Sequence, residues 1–65
     1  MQRMARVRRM LFDARQPVTP QEIARWTHVR VAGVQHLLRL LERVGQAEVC
    51  DVTPDGRQRW RWKDE

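Results

Sequence analysis

The sequence predicts a small α+β domain, mainly α, in which three helices precede one β-hairpin. Three observations predict it. Apolar residues recur at helical spacing over residues 2–15 and 30–44. A capping motif opens a short helix over residues 20–27, and residues 47–63 alternate on either side of a turn. Because the chain has 65 residues, we expect one domain that covers residues 1–65.

The first helix is predicted over residues 2–15. Val7 and Leu11 lie on its apolar face at a spacing of four residues, while arginines such as Arg6 fall on the other side. Pro17 ends the helix, because the residue before a proline is driven out of helical geometry.

The second helix is predicted over residues 20–27, and its start is the clearest local signal. Thr19 serves as the N-cap and Glu22 occupies the third helical position, which together form a capping box. Pro20 fits the first helical position, where its missing N–H costs nothing. Trp26 is expected to pack in the core or between helices.

The third helix is predicted over residues 30–44, and it is the most clearly amphipathic element. Gly45 is expected to end it as a left-handed residue. At about 100° per residue, its apolar face holds Val34, Leu37, Leu38, Leu41 and Val44.

The hairpin is predicted over residues 47–63, with a turn at Pro54, Asp55 and Gly56. Basic residues and tryptophans alternate along the returning strand, so the two tryptophans are expected to close the core and the basic residues to face outward. Cys50 is expected to be a small apolar residue of the outgoing strand.

The charge balance indicates an anionic partner. Thirteen basic residues, of which twelve are arginines, outnumber eight acidic ones and give a net charge of +5. Most of this charge lies in residues 1–15 and 57–63, each with a net charge of +4. The simplest partner for such a chain is nucleic acid or an anionic membrane surface.

Composition also excludes several classes of protein. One cysteine cannot form an intramolecular disulfide or a cysteine-based zinc site, so we expect no metal and a cytoplasmic protein. A nucleic-acid partner would make this protein nucleoid-associated. No apolar run approaches the ~20 residues that cross a membrane. A domain this small buries only about 60% of its unfolded surface, and no catalytic constellation or glycine-rich phosphate loop is present. We therefore expect neither an enzyme nor a cofactor.

The element order resembles the winged helix-turn-helix domain of small bacterial and phage transcriptional regulators. The resemblance covers nearly the whole chain. Its core pattern lies at Glu22-Ile23-Ala24, Val29, Val34, Leu38, Leu41 and Gly45, and its wing at Pro54-Asp55-Gly56-Arg57 and Trp60-Arg61-Trp62. It implies DNA binding, with the third helix in the major groove and the hairpin, as a wing, on the minor groove or on phosphates.

Two features depart from this pattern. His28 stands at a turn position where glycine is common, so the turn either is one residue longer or holds His28 in a left-handed conformation. The third helix starts with the apolar run Val31-Ala32-Gly33, where polar residues are usual. This start favours an alternative function, a module that binds a regulator, a polymerase or a replication protein.

The residues predicted to contact DNA fall into three groups. Base contacts from the outward arc of the third helix are assigned to Ala32, Gln35, His36 and Arg39. Phosphate contacts beside them are assigned to Arg30 and Arg43. Wing contacts are assigned to Arg57, Arg59 and Arg61, with an edge strand protected by charge as the alternative reading.

The leading hypothesis is a sequence-specific regulator of double-stranded DNA, such as a repressor. The arginines of the first helix would add phosphate contacts, and a homodimer would enlarge the small footprint through Leu40 or the edge formed by Met1, Met4 and Arg8. A third reading is an architectural factor that bends DNA in recombination or excision.

Overall fold

The computed structural model describes residues 3–63 and confirms the predicted α+β fold of three helices and one hairpin. The two strands pair antiparallel. The elements are α1 (Arg3–Asp13), α2 (Pro20–Thr27), α3 (Val31–Arg43), β1 (Ala47–Val52) and β2 (Gln58–Trp62).

The helices end close to where the sequence predicts, with two differences. Helix α1 stops at Asp13, two residues before the predicted end, and Ala14 donates hydrogen bonds back to the carbonyls of Met10 and Leu11. Helix α3 is one residue shorter at each end, because Arg30 is an extended N-cap and Val44 is the C-cap. Gly45 follows with a φ of 80°, the left-handed conformation expected of it.

The capping box of α2 is confirmed. The Glu22 amide donates to Thr19 Oγ1 at 3.2 Å, and the Thr19 amide donates to Glu22 Oε1 at 2.9 Å. Thr19 is buried, so these bonds satisfy donors that water reaches poorly. The cap thereby determines where α2 begins.

Replacing Thr19 with alanine is expected to cost about 0.5–2 kcal/mol of the free energy of unfolding. The change removes the acceptor of the Glu22 amide and leaves that donor without its side-chain partner. Urea unfolding followed by circular dichroism measures the cost. Thr19→Ser, which keeps the hydroxyl acceptor, serves as the matched control; an equal cost for both variants would contradict the role of the cap.

The hairpin contains an irregularity that the alternation of its sequence does not predict. Val49 pairs with Trp60 and Asp51 pairs with Arg59, so Cys50 has no partner in the register and forms a β-bulge. Cys50 lies in β1, as expected, but its side chain is exposed and is not part of the apolar core.

A third segment extends the sheet beyond the hairpin. Val18, in the connection between α1 and α2, forms an antiparallel bridge with Trp60. The Val18 amide donates to the Trp60 carbonyl at 2.9 Å, and the Trp60 amide donates to the Val18 carbonyl at 2.7 Å. The sheet is thereby attached to the chain between the first two helices.

The core lies between the three helices and the sheet. Partly buried residues such as Leu37 and Trp62 pack around it. Its buried apolar residues are Val7, Leu11, Val18, Ile23, Val29, Val34, Leu38, Leu41, Ala47 and Trp60.

Two predicted packing residues lie outside this core. Trp26 is 51% exposed, because Thr27 takes the buried position on α2 and its hydroxyl donates to the Ile23 carbonyl at 2.7 Å. Val44 is 66% exposed, because α3 ends before it and the helical stripe does not continue. The apolar pattern therefore predicts buried side chains at two positions where the structure has exposed ones.

Candidate nucleic-acid interface

The outward face of α3 presents polar and basic side chains to solvent. Ala32, Gln35, His36 and Arg39 are all exposed. On the other side of the helix, Val34, Leu38 and Leu41 are buried. Because the buried face is anchored in the core, the helix has one rigidly held face available for a partner.

A tight turn positions the start of α3. His28 follows α2 with φ 60° and ψ 31°, so the left-handed alternative for this residue is confirmed. Arg30 is exposed and serves as the N-cap of α3, but its side chain makes no capping hydrogen bond. A guanidinium carries only hydrogen-bond donors, so the Arg30 side chain cannot cap the amides at the start of α3.

The arginines of α3 and its N-cap differ from those of the hairpin in their pairing. Arg30, Arg39 and Arg43 are exposed, and within residues 3–63 none of them forms an ion pair. Glu42 is the acidic residue of α3, and it too forms no ion pair in this range. This face therefore keeps its positive charge.

The three hairpin arginines are each paired with an acid of the same hairpin. The nitrogen–oxygen distances are short, and all three pairs are largely exposed. They are Arg57 Nε to Asp55 Oδ2 at 3.1 Å, Arg59 Nη1 to Asp51 Oδ2 at 3.3 Å, and Arg61 Nη2 to Glu48 Oε2 at 2.5 Å.

The β-bulge allows two of these ion pairs, Glu48–Arg61 and Asp51–Arg59, to lie on the same face of the hairpin. In a regular strand, residues three apart point to opposite faces, so Glu48 and Asp51 would not both face arginines. The extra residue in β1 brings Glu48 opposite Arg61 and Asp51 opposite Arg59 on one face. The hairpin as a whole, residues 47–63, holds four basic and three acidic residues. The acidic residues therefore offset most of the positive charge of residues 57–63.

Hydrogen bonds and charges in the hairpin shift two pKa values. The Thr53 hydroxyl donates to Asp55, and this bond, with the nearby Arg57 charge, lowers the pKa of Asp55. The hydrogen bond and charge of Glu48 raise the pKa of Arg61. Both shifts favour the charged forms of these two side chains.

A groove joins α3 to the hairpin tip. It has a volume of about 350 Å³ and runs between the start of α2, the middle of α3 and the turn of the hairpin. Gln35 and Arg57 both line it, which brings together one predicted base-contacting residue and one predicted wing residue. Gln21 also lines it, and its buried Oε1 has no hydrogen-bond partner in the described range.

A separate surface, the α1–β2 surface, is defined by Arg8, Phe12 and Trp62. The Phe12 and Trp62 rings pack edge to face with centroids 5.4 Å apart, and the Arg8 guanidinium lies 5.7 Å from the Trp62 centroid. Phe12 remains 55% exposed and Trp62 is half-buried. Sequence reasoning assigned Trp62 to core closure and missed this surface.

The described residues were also compared with the requirements of a metal site and of a membrane-spanning helix. In residues 3–63 no group of three or more His, Cys, Asp or Glu side chains could hold a metal ion. Among the described helices, none has the length and apolar character needed to cross a membrane. Comparison with protein-family models, curated proteins and solved structures finds no match to this chain.

Proposed function

We propose that this protein is a sequence-specific regulator that binds double-stranded DNA in the manner of a winged helix-turn-helix domain. The outward face of α3 enters the major groove, where Gln35 and Arg39 read base edges. Arg30 and Arg43 contact phosphates on either side.

One observation carries this proposal. The arginines of α3 and its N-cap, unlike those of the hairpin, keep their charge without an acidic partner in the described part of the chain. A rigid helix with free arginines beside exposed Gln35 and His36 matches the chemistry of a duplex, which offers phosphates outside and acceptor atoms in the groove. The α+β arrangement and the sharp turn at His28 further support this mode of binding.

The dimensions favour two molecules on successive turns of DNA. The domain measures 33 × 28 × 21 Å, and half-sites one helical turn apart are separated by about 34–36 Å. Two copies therefore fit side by side on one face of the duplex and together read a longer sequence. Association with the nucleoid would follow from such binding.

Selection of bound sequences from a random duplex pool tests the proposal. We expect an enriched motif, repeated at a spacing of about one turn if two copies bind. A salt titration on the enriched duplex should give a steep negative slope, since each neutralised phosphate contributes about −0.9. Failure to bind any duplex at low salt would refute the proposal, and binding without enrichment would favour the architectural reading.

Replacing Asp55 with asparagine is expected to tighten binding to all DNA sequences several-fold. The change removes the carboxylate charge that competes with phosphate for Arg57, and the retained Oδ1 still accepts from Thr53. Fluorescence anisotropy at several salt concentrations measures the affinity and its salt dependence. Asp13→Asn on α1 removes the same charge beside Arg9, which lies 2.8 Å from Asp13, so a larger gain for Asp55→Asn than for Asp13→Asn would place the contact at the hairpin tip rather than at α1. No change for Asp55→Asn would mean that the hairpin tip does not contact DNA.

A further inference from the structure

We propose that the α1–β2 surface is a second binding site, which takes an acidic segment of a protein partner that carries an aliphatic or aromatic side chain. The site consists of an aromatic ridge formed by Phe12 and Trp62, flanked by arginines. This inference does not rest on DNA binding by α3.

The ridge separates two shallow grooves. On one side, a groove of about 340 Å³ is lined by Ala5, Arg8 and Arg9 together with both rings. On the other side, a groove of about 390 Å³ is lined by Arg15, Pro17 and Arg61 together with the same rings. A segment crossing the ridge can place an apolar side chain against the rings and acidic side chains beside the arginines.

The rings are held ready for such a contact. Edge-to-face packing fixes the orientation of Phe12 against Trp62. An exposed ring that is already ordered loses little conformational entropy when a partner covers it. The exposed area of Phe12 therefore contributes to binding with a small ordering cost.

Charge complementarity identifies the occupant. Arg8 and Arg15 are exposed and form no ion pair within residues 3–63. Acidic side chains satisfy them, whereas a second copy of this chain would not. A two-fold interface places the same surface on both sides, which would bring the arginines of two copies together.

A nucleic-acid base fits this surface less well than a peptide. The Arg8 guanidinium lies over the Trp62 ring, where a base would have to stack. The edge-to-face arrangement also presents no pair of parallel faces for successive bases. The geometry thus points to a side chain that fills the grooves on either side of the rings.

Binding of synthetic peptides to the full-length, nitrogen-15-labelled protein tests the proposal. The probe is a fluorescent peptide of alternating glutamate and leucine, and the controls replace either leucine by alanine or glutamate by lysine. We expect the glutamate–leucine peptide to bind about tenfold more tightly than the glutamate–alanine peptide, because leucine buries apolar surface. Its chemical-shift changes should centre on the Trp62 indole and on Phe12.

Two variants and two matched controls locate the site. Phe12→Ala and Arg8→Ala should each weaken binding of the glutamate–leucine peptide about tenfold. Leu40→Ala and Arg43→Ala, which change an exposed apolar residue and an exposed arginine of α3, should leave it unchanged. Circular dichroism verifies that each variant is folded. If Phe12→Ala does not fold, the affinity of Arg8→Ala and the positions of the chemical-shift changes decide whether the peptide binds at this surface.

Several outcomes would overturn the proposal. Equal binding of the glutamate–alanine peptide would show that charge alone is recognised. Shift changes on α3 would place the peptide elsewhere, and association of two copies through Phe12 would make the surface a dimer interface. Duplex DNA that perturbs Trp62 and displaces the peptide would assign the surface to nucleic acid.

Discussion

Replacing Trp60 with alanine is expected to remove about 3–5 kcal/mol of the free energy of unfolding. Trp60 is only 4% exposed and is the one buried residue of β2. A domain of this length has a total stability of about 3–10 kcal/mol, so the loss ranges from about a third of that total to all of it. Thermal and urea unfolding followed by near-ultraviolet circular dichroism measure the loss.

Trp26→Ala is the matched control, because it removes the same side chain from a position that is 51% exposed. It should cost far less than Trp60→Ala. Trp60→Phe should lie between the two, since phenylalanine keeps most of the buried surface and removes an indole N–H that has no hydrogen-bond partner in the described region. Equal losses for the Trp26 and Trp60 alanine variants would contradict the assignment of the core.

Replacing Arg39 with alanine is expected to weaken binding to the selected duplex by about 1–3 kcal/mol, or roughly 5- to 150-fold. Arg39 lies on the exposed face of α3 and has no ion pair within the described residues to hold its guanidinium. A bidentate contact to guanine is lost with the side chain. The enriched motif should become degenerate at one position, which repeated sequence selection with the variant measures.

Arg39→Lys separates base recognition from charge. Lysine keeps the positive charge but cannot offer the two parallel donors of a guanidinium, so sequence preference should fall while affinity for non-specific DNA stays nearly constant. Arg43→Ala is the second control, and it should weaken all sequences alike and reduce the salt slope by about one. An unchanged motif with Arg39→Ala would exclude this residue from base recognition.

The helices were predictable because their signals are local. The capping box at Thr19 and Glu22 and the spacing of Val34, Leu38 and Leu41 depend on residues within one or two turns. The left-handed residue at Gly45 follows from its own lack of a side chain. These features need no information about the rest of the chain.

The electrostatics of the candidate site were less predictable, because they depend on pairing between strands. Alternation along β2 correctly separates Arg59 and Arg61 from Trp60, but it says nothing about which residues of β1 lie opposite. The bulge at Cys50 determines that Asp51 faces Arg59. Opposite charges across a predicted hairpin are a usable signal for such pairs, since directly opposed ions stabilise a sheet.

The exposed aromatic residues were missed for a similar reason. Periodicity assigns a residue to a face of its own helix or strand, but burial depends on what covers that face. Phe12 lies beside the apolar stripe of α1, packs edge to face against Trp62 and remains 55% exposed. Trp26 lies one position before the buried Thr27 and remains open to solvent.

The bridge between Val18 and Trp60 has a consequence for biosynthesis. It joins the connection before α2 to the second strand of the hairpin, so the contact cannot form until Trp60 has left the ribosome. The three helices leave the ribosome earlier, so their apolar faces stay exposed until the sheet forms and covers them. A ribosome stalled before this point would therefore hold a nascent chain that is rich in helix but sensitive to protease.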